Sequence, residues 1–372
     1  MIMKNSANIK QYLKIIDNWI WNGQKIPIAR SMARLLEKDN IVIADVGSAG
    51  GVEDRWLPIM KYLKLLCFEP DLRSYEASSN DKIINFPVAL AEKKGKRQLF
   101  LTPFSGASSL YRLNTDRLDD FANSEAHKVA GSSLIDVDTL DNCLAGHSGI
   151  KPDFIKVDAE GGDLDVLKGG RGSLAGVKGI KIEVSFLERY VGAPLFGEAD
   201  SFLKEQGFDL FILDREHWIR KNSLYGTNSN PQIIWADAVY FVRKDVFIGR
   251  IRGLQEKERA SELVKYILIL LTFSAHDYAL EILDGVSGKE LIPLALVKEL
   301  MTAIKKSVEL SWFGLLRQSL GLLFGLVVYI LLLPFGRVRV MGRRYLKKRL
   351  GGLVKCLNNM TRNGPYEACL HD

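Results

Sequence analysis

The 372 residues are enough for one large domain with appendages or for two domains, and 47% hydrophobic with 26% charged residues is an ordinary globular balance. The net charge of +7 is uneven: residues 301–372 carry 12 Lys/Arg against 3 Asp/Glu, which leaves the first 300 residues slightly acidic. A near-neutral body excludes a basic nucleic-acid groove across the main domain, and four cysteines without a CxxC pair imply neither a disulfide framework nor a zinc site. The start, MIMKNSANIKQYLKIIDNW, is too polar for a secretory signal, so the cytoplasm is the expected compartment.

Residues 1–40 form an N-terminal segment with helical spacing of Ile9, Leu13, Ile16 and Ile20, then of Met32, Leu35 and Leu36. Short apolar runs follow: IVIADVG at 41–47, LKLLCFEP at 63–70 and IINFPVAL at 83–90. Separated by longer segments, they predict buried parallel strands of βαβ units. Cys67, inside the second run, is expected as a buried, reduced thiol. Between 97 and 137 the pattern is less regular, with RQLFLTPF and SSLIDVDTL as strand candidates. Alternation resumes with DFIKVD at 153–158, a helix start at 160–170, GIKIEVS at 179–185, a helix containing Ala199, Phe202 and Leu203, then FDLFILD at 208–214 and WADAVYFVRK at 235–244. The prediction is an α/β fold, a Rossmann-like doubly wound sheet of seven strands flanked by helices, the last two strands antiparallel.

That domain is drawn at 41–245. A helical extension occupies 246–311, with Leu263, Tyr266, Ile267 and Leu270 on one face. The remainder, 312–372, opens with a very apolar run to 335 and continues into RVRVMGRRYLKKRL. A buried helix, a transmembrane span and an in-plane anchor compete for it. The uncharged window Gln318–Gly336 is near the ~20 residues that a span requires. The basic run marks a cytosolic face, so a single span would separate tail and domain; a monotopic or re-entrant contact of 312–349 with the inner membrane surface is favoured.

The strongest local signal is IADVGSAGGVEDRW at 41–56, a strand entering a turn with Gly47, Ser48, Gly50 and Gly51. It lacks the GxGxxG of dinucleotide folds, and Asp45 stands before its first glycine. A carboxylate there disfavours a pyrophosphate and tolerates a sulfonium with an amino group. Glu69, followed by Pro70, ends the second strand, where carboxylates hydrogen-bond ribose hydroxyls in nucleotide-binding α/β folds. The stretch from Asn85 through Ala89 to Leu90 would lie beside an adenine.

With these features the sequence resembles the FkbM family of methyltransferases. The matching residues are DVGSAGG at 45–51, FEPD at 68–71, PVAL at 87–90, GASSL at 106–110, VDTLD at 137–141, DFIKVDAEGGDLDVLKGG at 153–170 and IEV at 182–184. Ala49 departs from the Asn common there. The resemblance covers roughly residues 40–245. It implies bound S-adenosylmethionine and methyl transfer, usually to oxygen on sugars or natural products.

Lys156, Asp158, Glu160 and Glu183 fall at or near the ends of the fourth and fifth strands, the end that faces the site in such folds. Asp158 is expected to be the general base or an acid that orients ligand. Glu160 has two open roles, sharing that task or capping the next helix. Lys156 either pairs with an acid and tunes it or forms a structural ion pair. Glu183 either lines the substrate side or is a buried, hydrogen-bonded acid. Ser108 and Ser109 match the family loop expected near cofactor or acceptor; His217 and His127 are alternative bases. No metal-ligand spacing stands out, and no metal is expected. The reading is a methyltransferase that uses S-adenosylmethionine on the oxygen of a glycan or small-molecule acceptor. The competing readings are a nicotinamide-dependent oxidoreductase and a non-catalytic membrane-associated scaffold.

Overall fold

The computed structural model describes residues 26–308, apart from 72, 74–79, 104, 122–128, 148–149, 222–229 and 290. The expected helix before residue 26, His127, and the apolar run and basic segment of 312–349 lie outside the described residues. The chain divides into a unit Ala29–Leu300, which holds both sheets, and a second unit joining Met1–Ile28 to Met301–Asp372, of which the described stretch 301–308 is helical.

Among the described residues ten strands form in chain order. They are β1 (Ile41–Val46), β2 (Leu63–Phe68), β3 (Ile83–Phe86), β4 (Ala89–Leu90), β5 (Gly95–Leu101), β6 (Gly131–Asp138), β7 (Phe154–Val157), β8 (Gly179–Ser185), β9 (Phe208–Trp218) and β10 (Gln232–Val242). Seven make one sheet in the order β3-β2-β1-β7-β8-β10-β9, with β10 antiparallel to both neighbours and the other pairings parallel. This is the predicted doubly wound sheet. Every residue of β1 is buried, as a central strand covered on both faces requires.

The run IINFPVAL does not make one strand. Pro87 cannot donate to a ladder, and the Val88 N–H turns back onto the Phe86 carbonyl at 2.9 Å. The chain therefore leaves β3 and re-enters as β4 in a second, three-stranded sheet, β4-β6-β5. The two uncertain strand candidates between 97 and 137 are β5 and β6 of that sheet, paired antiparallel.

The chain steps from β1 outward to β2 and β3, then returns on the other side of β1 as β7. That reversal is a topological switch point at the carboxyl ends of β1 and β7, the place where ligands sit in open α/β sheets. The opposite end of the sheet is closed. There Trp56, Phe154 and Phe273 pack edge and face at ring separations of 5.0, 5.2 and 5.8 Å. The helix Glu256–Thr272 is buried well beyond its predicted face, including Val264, Lys265, Leu268, Ile269 and Leu271. It is covered on several sides, and an apolar helix surrounded in this way has no solvent face to keep polar. Its one buried ammonium, Lys265, lies 2.5 Å from Asp39 and 3.3 Å from Asp153, while Lys178 lies 2.6 Å from Asp153 and 2.8 Å from Glu262.

Candidate active site

β1 ends in the turn that the glycines predicted. Gly47 has φ +75°, and a Cβ there would stand 2.0 Å from the Asp158 carbonyl oxygen. Only a residue without a side chain lets the β1 turn close on the end of β7 in this left-handed conformation. The turn is fixed by its backbone: Gly47 N–H donates to Phe68 and Asp158 N–H to Val46, both at 3.0 Å. Beyond it come a tight turn at Ser48–Gly50 and Gly51, with φ +72° and open space where a side chain would be.

Parallel register sets Asp45 beside Lys156. The Lys156 ammonium lies 3.1 Å from Asp45 Oδ1 and 3.5 Å from Asp158 Oδ2, and donates to the Gly47 carbonyl at 2.9 Å. Burial alone would lower its pKa, but the Asp45 and Asp158 carboxylates push it up to about 12. Lys156 is therefore a fixed cation at neutral pH. Burial pushes Asp45 up against the pull of Lys156. Its buried Oδ1 has no aligned hydrogen-bond donor among the described residues, the ammonium sitting off the line of a bond.

Glu69, buried at the end of β2, accepts the Asp71 N–H at 2.9 Å, with the Ala49 N–H of the glycine turn near enough to favour its charged form. Burial raises its pKa against these N–H groups. The turn and Glu69 are therefore neighbours. Asp71, also buried, accepts from the Arg73 Nε at 2.9 Å and from Ser108 Oγ at 3.1 Å, and its carboxyl is held low by Arg73. Arg73 reaches on to the Thr102 carbonyl at 3.1 Å. Ser109 Oγ donates to the Glu160 carbonyl at 2.6 Å, and the turn Ser105–Ala107 lies against Ser48–Gly50. The segment Ser105–Ser109 is thus a strap between the ends of β2 and β7, crossing the glycine turn, with the hydroxyls of Ser108 and Ser109 spent on the protein.

Residues 45–210 match the Methyltransferase FkbM domain. Those residues are a methyltransferase domain of the FkbM family. The 2-O-methyltransferase NoeI of Sinorhizobium fredii (strain NBRC 101917 / NGR234) is 28% identical over 176 residues, 45% of this chain and 72% of that protein. The chain is a methyltransferase, and the oxidoreductase and scaffold readings fall away. The family implies S-adenosylmethionine.

The FkbM domain brings the four predicted strand-end residues together. Asp158 keeps its carboxylate about half exposed beside Lys156. Glu160 and Glu183 turn inward to a shared partner that sequence reasoning missed. Arg189, buried, donates to Glu183 Oε1 at 2.7 Å and to Glu160 Oε2 at 3.2 Å, and the Tyr190 hydroxyl also donates to Glu160 Oε2. Burial raises the pKa of both glutamates against the pull of Arg189. Asp163 was missed as well. Fully buried at the start of the helix Asp163–Gly169, it accepts the Ala159 and Gly161 N–H groups at 3.0 Å each, and burial pushes it up to about 7. An Arg–Tyr pair just beyond a strand is a weak sequence signal, since its meaning depends on which strands are neighbours.

The other predicted residues stand apart from this cluster. Ala89 packs with Ala91 and Val137 in the smaller sheet. Pro70 is half-buried between Glu69 and Asp71, and Cys67 is half-buried rather than buried. His217 is exposed on β9, the edge strand, with β10 between it and β8. Among the described residues no three His, Cys, Asp or Glu side chains gather to hold a metal, and no helix is long and apolar enough to cross a membrane.

Proposed function

We propose that this methyltransferase transfers the methyl group of S-adenosylmethionine to a hydroxyl of a sugar-bearing acceptor, with Asp158 taking the proton. The observation that carries the reading is the half-exposed Asp158 carboxylate, held across the switch point from the glycine turn, while the neighbouring acids are occupied. The name of the 2-O-methyltransferase relative supports oxygen as the acceptor atom and favours a sugar.

The residues suit such a cofactor. Asp45, Glu69, Asp158, Glu160, Glu183 and Asp237 outnumber Lys156, Lys181 and Arg189, and Lys181 is itself paired, 2.6 Å from Glu53 and 3.0 Å from Asp237. Surplus negative charge favours a sulfonium with an ammonium over a pyrophosphate. The turn of Gly47, Ser48, Gly50 and Gly51 lets a ligand approach the backbone, Glu69 grips the ribose, and Asp45 with its undonated oxygen faces the cationic end. When bound, the cofactor supplies an electrophilic methyl group. The acceptor oxygen forms the new bond to that carbon as the carbon–sulfur pair stays with sulfur, and the hydroxyl proton goes to Asp158. Lys156, 3.5 Å away, holds the Asp158 carboxylate in place until then.

The test is transfer of labelled methyl groups to a panel of simple methyl glycosides. Asp158→Asn should cut turnover at least a hundredfold, the scale of lost general-base assistance, while affinity for S-adenosylhomocysteine stays within a few fold. Unchanged turnover in that variant would reject the assignment. For 312–349 we propose contact with the inner membrane surface, carried by the apolar run beside the basic cluster. Deleting that stretch should move the protein from the membrane fraction to the supernatant, and unchanged sedimentation would reject it.

A further inference from the structure

We infer that Arg189, together with Tyr190, is the positioning device that sets Asp158, by locking Glu160 into a backbone conformation it would not otherwise keep. The inference rests on the reading of Asp158 as the proton acceptor.

Glu160 has φ +49°. A non-glycine residue in the left-handed region persists only where its surroundings over-determine it. Here they do. Its carboxylate accepts from Arg189 Nη2 at 3.2 Å and from the Tyr190 hydroxyl, and its carbonyl accepts Ser109 Oγ at 2.6 Å. The next residue, Gly161, has φ +95° and lies under the Tyr190 ring, where a Cβ would be 2.7 Å from a ring carbon. One Arg–Tyr pair thus fixes two successive residues. Asp158 lies just upstream. Its own N–H is tied to Val46 and its carbonyl is pressed against Gly47, so the short path from Asp158 to Glu160 is held at both ends.

The source of that hold is the rigid sheet. The other arm of the Arg189 fork reaches Glu183 on β8 at 2.7 Å. The backbone carrying the arginine is anchored too: Asn114 N–H donates to the Arg189 carbonyl at 2.7 Å and Val191 N–H to the Arg112 carbonyl at 2.8 Å. A guanidinium can bind two carboxylates on different elements at once, whereas an ammonium is a point charge without that fork. Glu160, with Oε2 shared by two donors, is a good handle. Its role is to be held.

The test uses the full chain and three variants, Tyr190→Phe, Arg189→Lys and Arg189→Met. Amide exchange of Ala159, Glu160 and Gly161 is followed by NMR, the titration of the Asp158 carboxyl by carbon NMR, and S-adenosylhomocysteine binding by calorimetry. Removing the tyrosine hydroxyl takes one charge-assisted bond from Glu160 and should speed Gly161 exchange about tenfold. Arg189→Lys should do so more strongly and broaden or displace the Asp158 titration, with folded content unchanged. Arg189→Met strands two buried carboxylates, so if it does not fold the other two variants decide. A purely structural role would lower thermal stability and leave the Asp158 titration where it is. Exchange and titration coincident with wild type in both Tyr190→Phe and Arg189→Lys would overturn the proposal. Wild-type protein that binds no S-adenosylhomocysteine would instead remove the functional reading, and with it the catalytic meaning of the clamp.

Discussion

Replacing Gly47 by Ala tests the architecture of the cofactor turn at its tightest point. The residue sits at φ +75°, and the new methyl would stand 2.0 Å from the Asp158 carbonyl oxygen and 3.0 Å from its carbonyl carbon. The left-handed conformation costs an alanine roughly 1–2 kcal/mol. The clash is with backbone, which cannot rotate away as a side chain can, so relief requires β1 and β7 to part at their ends, at a further 1–3 kcal/mol typical of overpacking. We expect about 3 kcal/mol in all, a fall in Tm of roughly 6–10 °C for a unit of this size. Because the same displacement opens the turn, affinity for S-adenosylhomocysteine should fall at least about tenfold, since a misplaced binding backbone loses its contacts together. Gly176→Ala is the control: that glycine has no neighbour within 4 Å and no positive φ, so its substitution should leave both readouts alone. Thermal unfolding and calorimetry on the three proteins decide the matter. A Gly47→Ala protein that melts within a degree of wild type and binds equally well would refute the reasoning, because it would mean the turn does not close on β7 as described.

Other outcomes follow from the same structure. Glu69→Ala should weaken S-adenosylhomocysteine binding by about 10- to 100-fold, the worth of a charged hydrogen bond to a ribose, and equal affinity in a titration would remove Glu69 from the site. Asp163 has a folded pKa near 7 against an ordinary 3.8, so its contribution to stability is complete below about pH 4 and is lost as pH rises toward 7. Asp163→Asn should therefore flatten that part of the stability-versus-pH curve, a difference on the order of 4 kcal/mol in denaturant midpoints converted to free energy, and parallel curves would argue against it. Lys178→Met takes one of two ammonium partners from Asp153, Lys265 remaining, and the partner of half-buried Glu262, and should cost about 1–3 kcal/mol in urea unfolding, while S-adenosylhomocysteine affinity measured on the folded fraction is unchanged.

Some of these residues were legible before any coordinates. The glycine turn and Glu69 each carry a local signature, a backbone needing φ > 0 and a carboxylate at a strand end, and the structure shows the positive φ at Gly47 and Gly51 and Glu69 just past the end of β2. Glu160 was left between catalysis and capping. The helix Asp163–Gly169 has no side-chain cap, and Glu160 points to Arg189. Ser108 and Ser109 were expected near ligand, yet their hydroxyls fasten a strap. Side-chain chemistry was readable there, but its partner was not, because Ser108 lies 37 residues from Asp71 and Ser109 lies 51 residues from Glu160.

The order of apolar runs and turns along the chain was sufficient to specify seven strands and their doubly wound arrangement, since burial period and glycine geometry are properties of neighbours in sequence. Tertiary structure alone decided which acids are free. Asp45 meets Lys156 through parallel register, and Glu160 and Glu183 meet Arg189 through the adjacency of β7 and β8. A carboxylate becomes base or tether according to the cation beside it, and that cation comes from a strand or loop that only the folded sheet brings near.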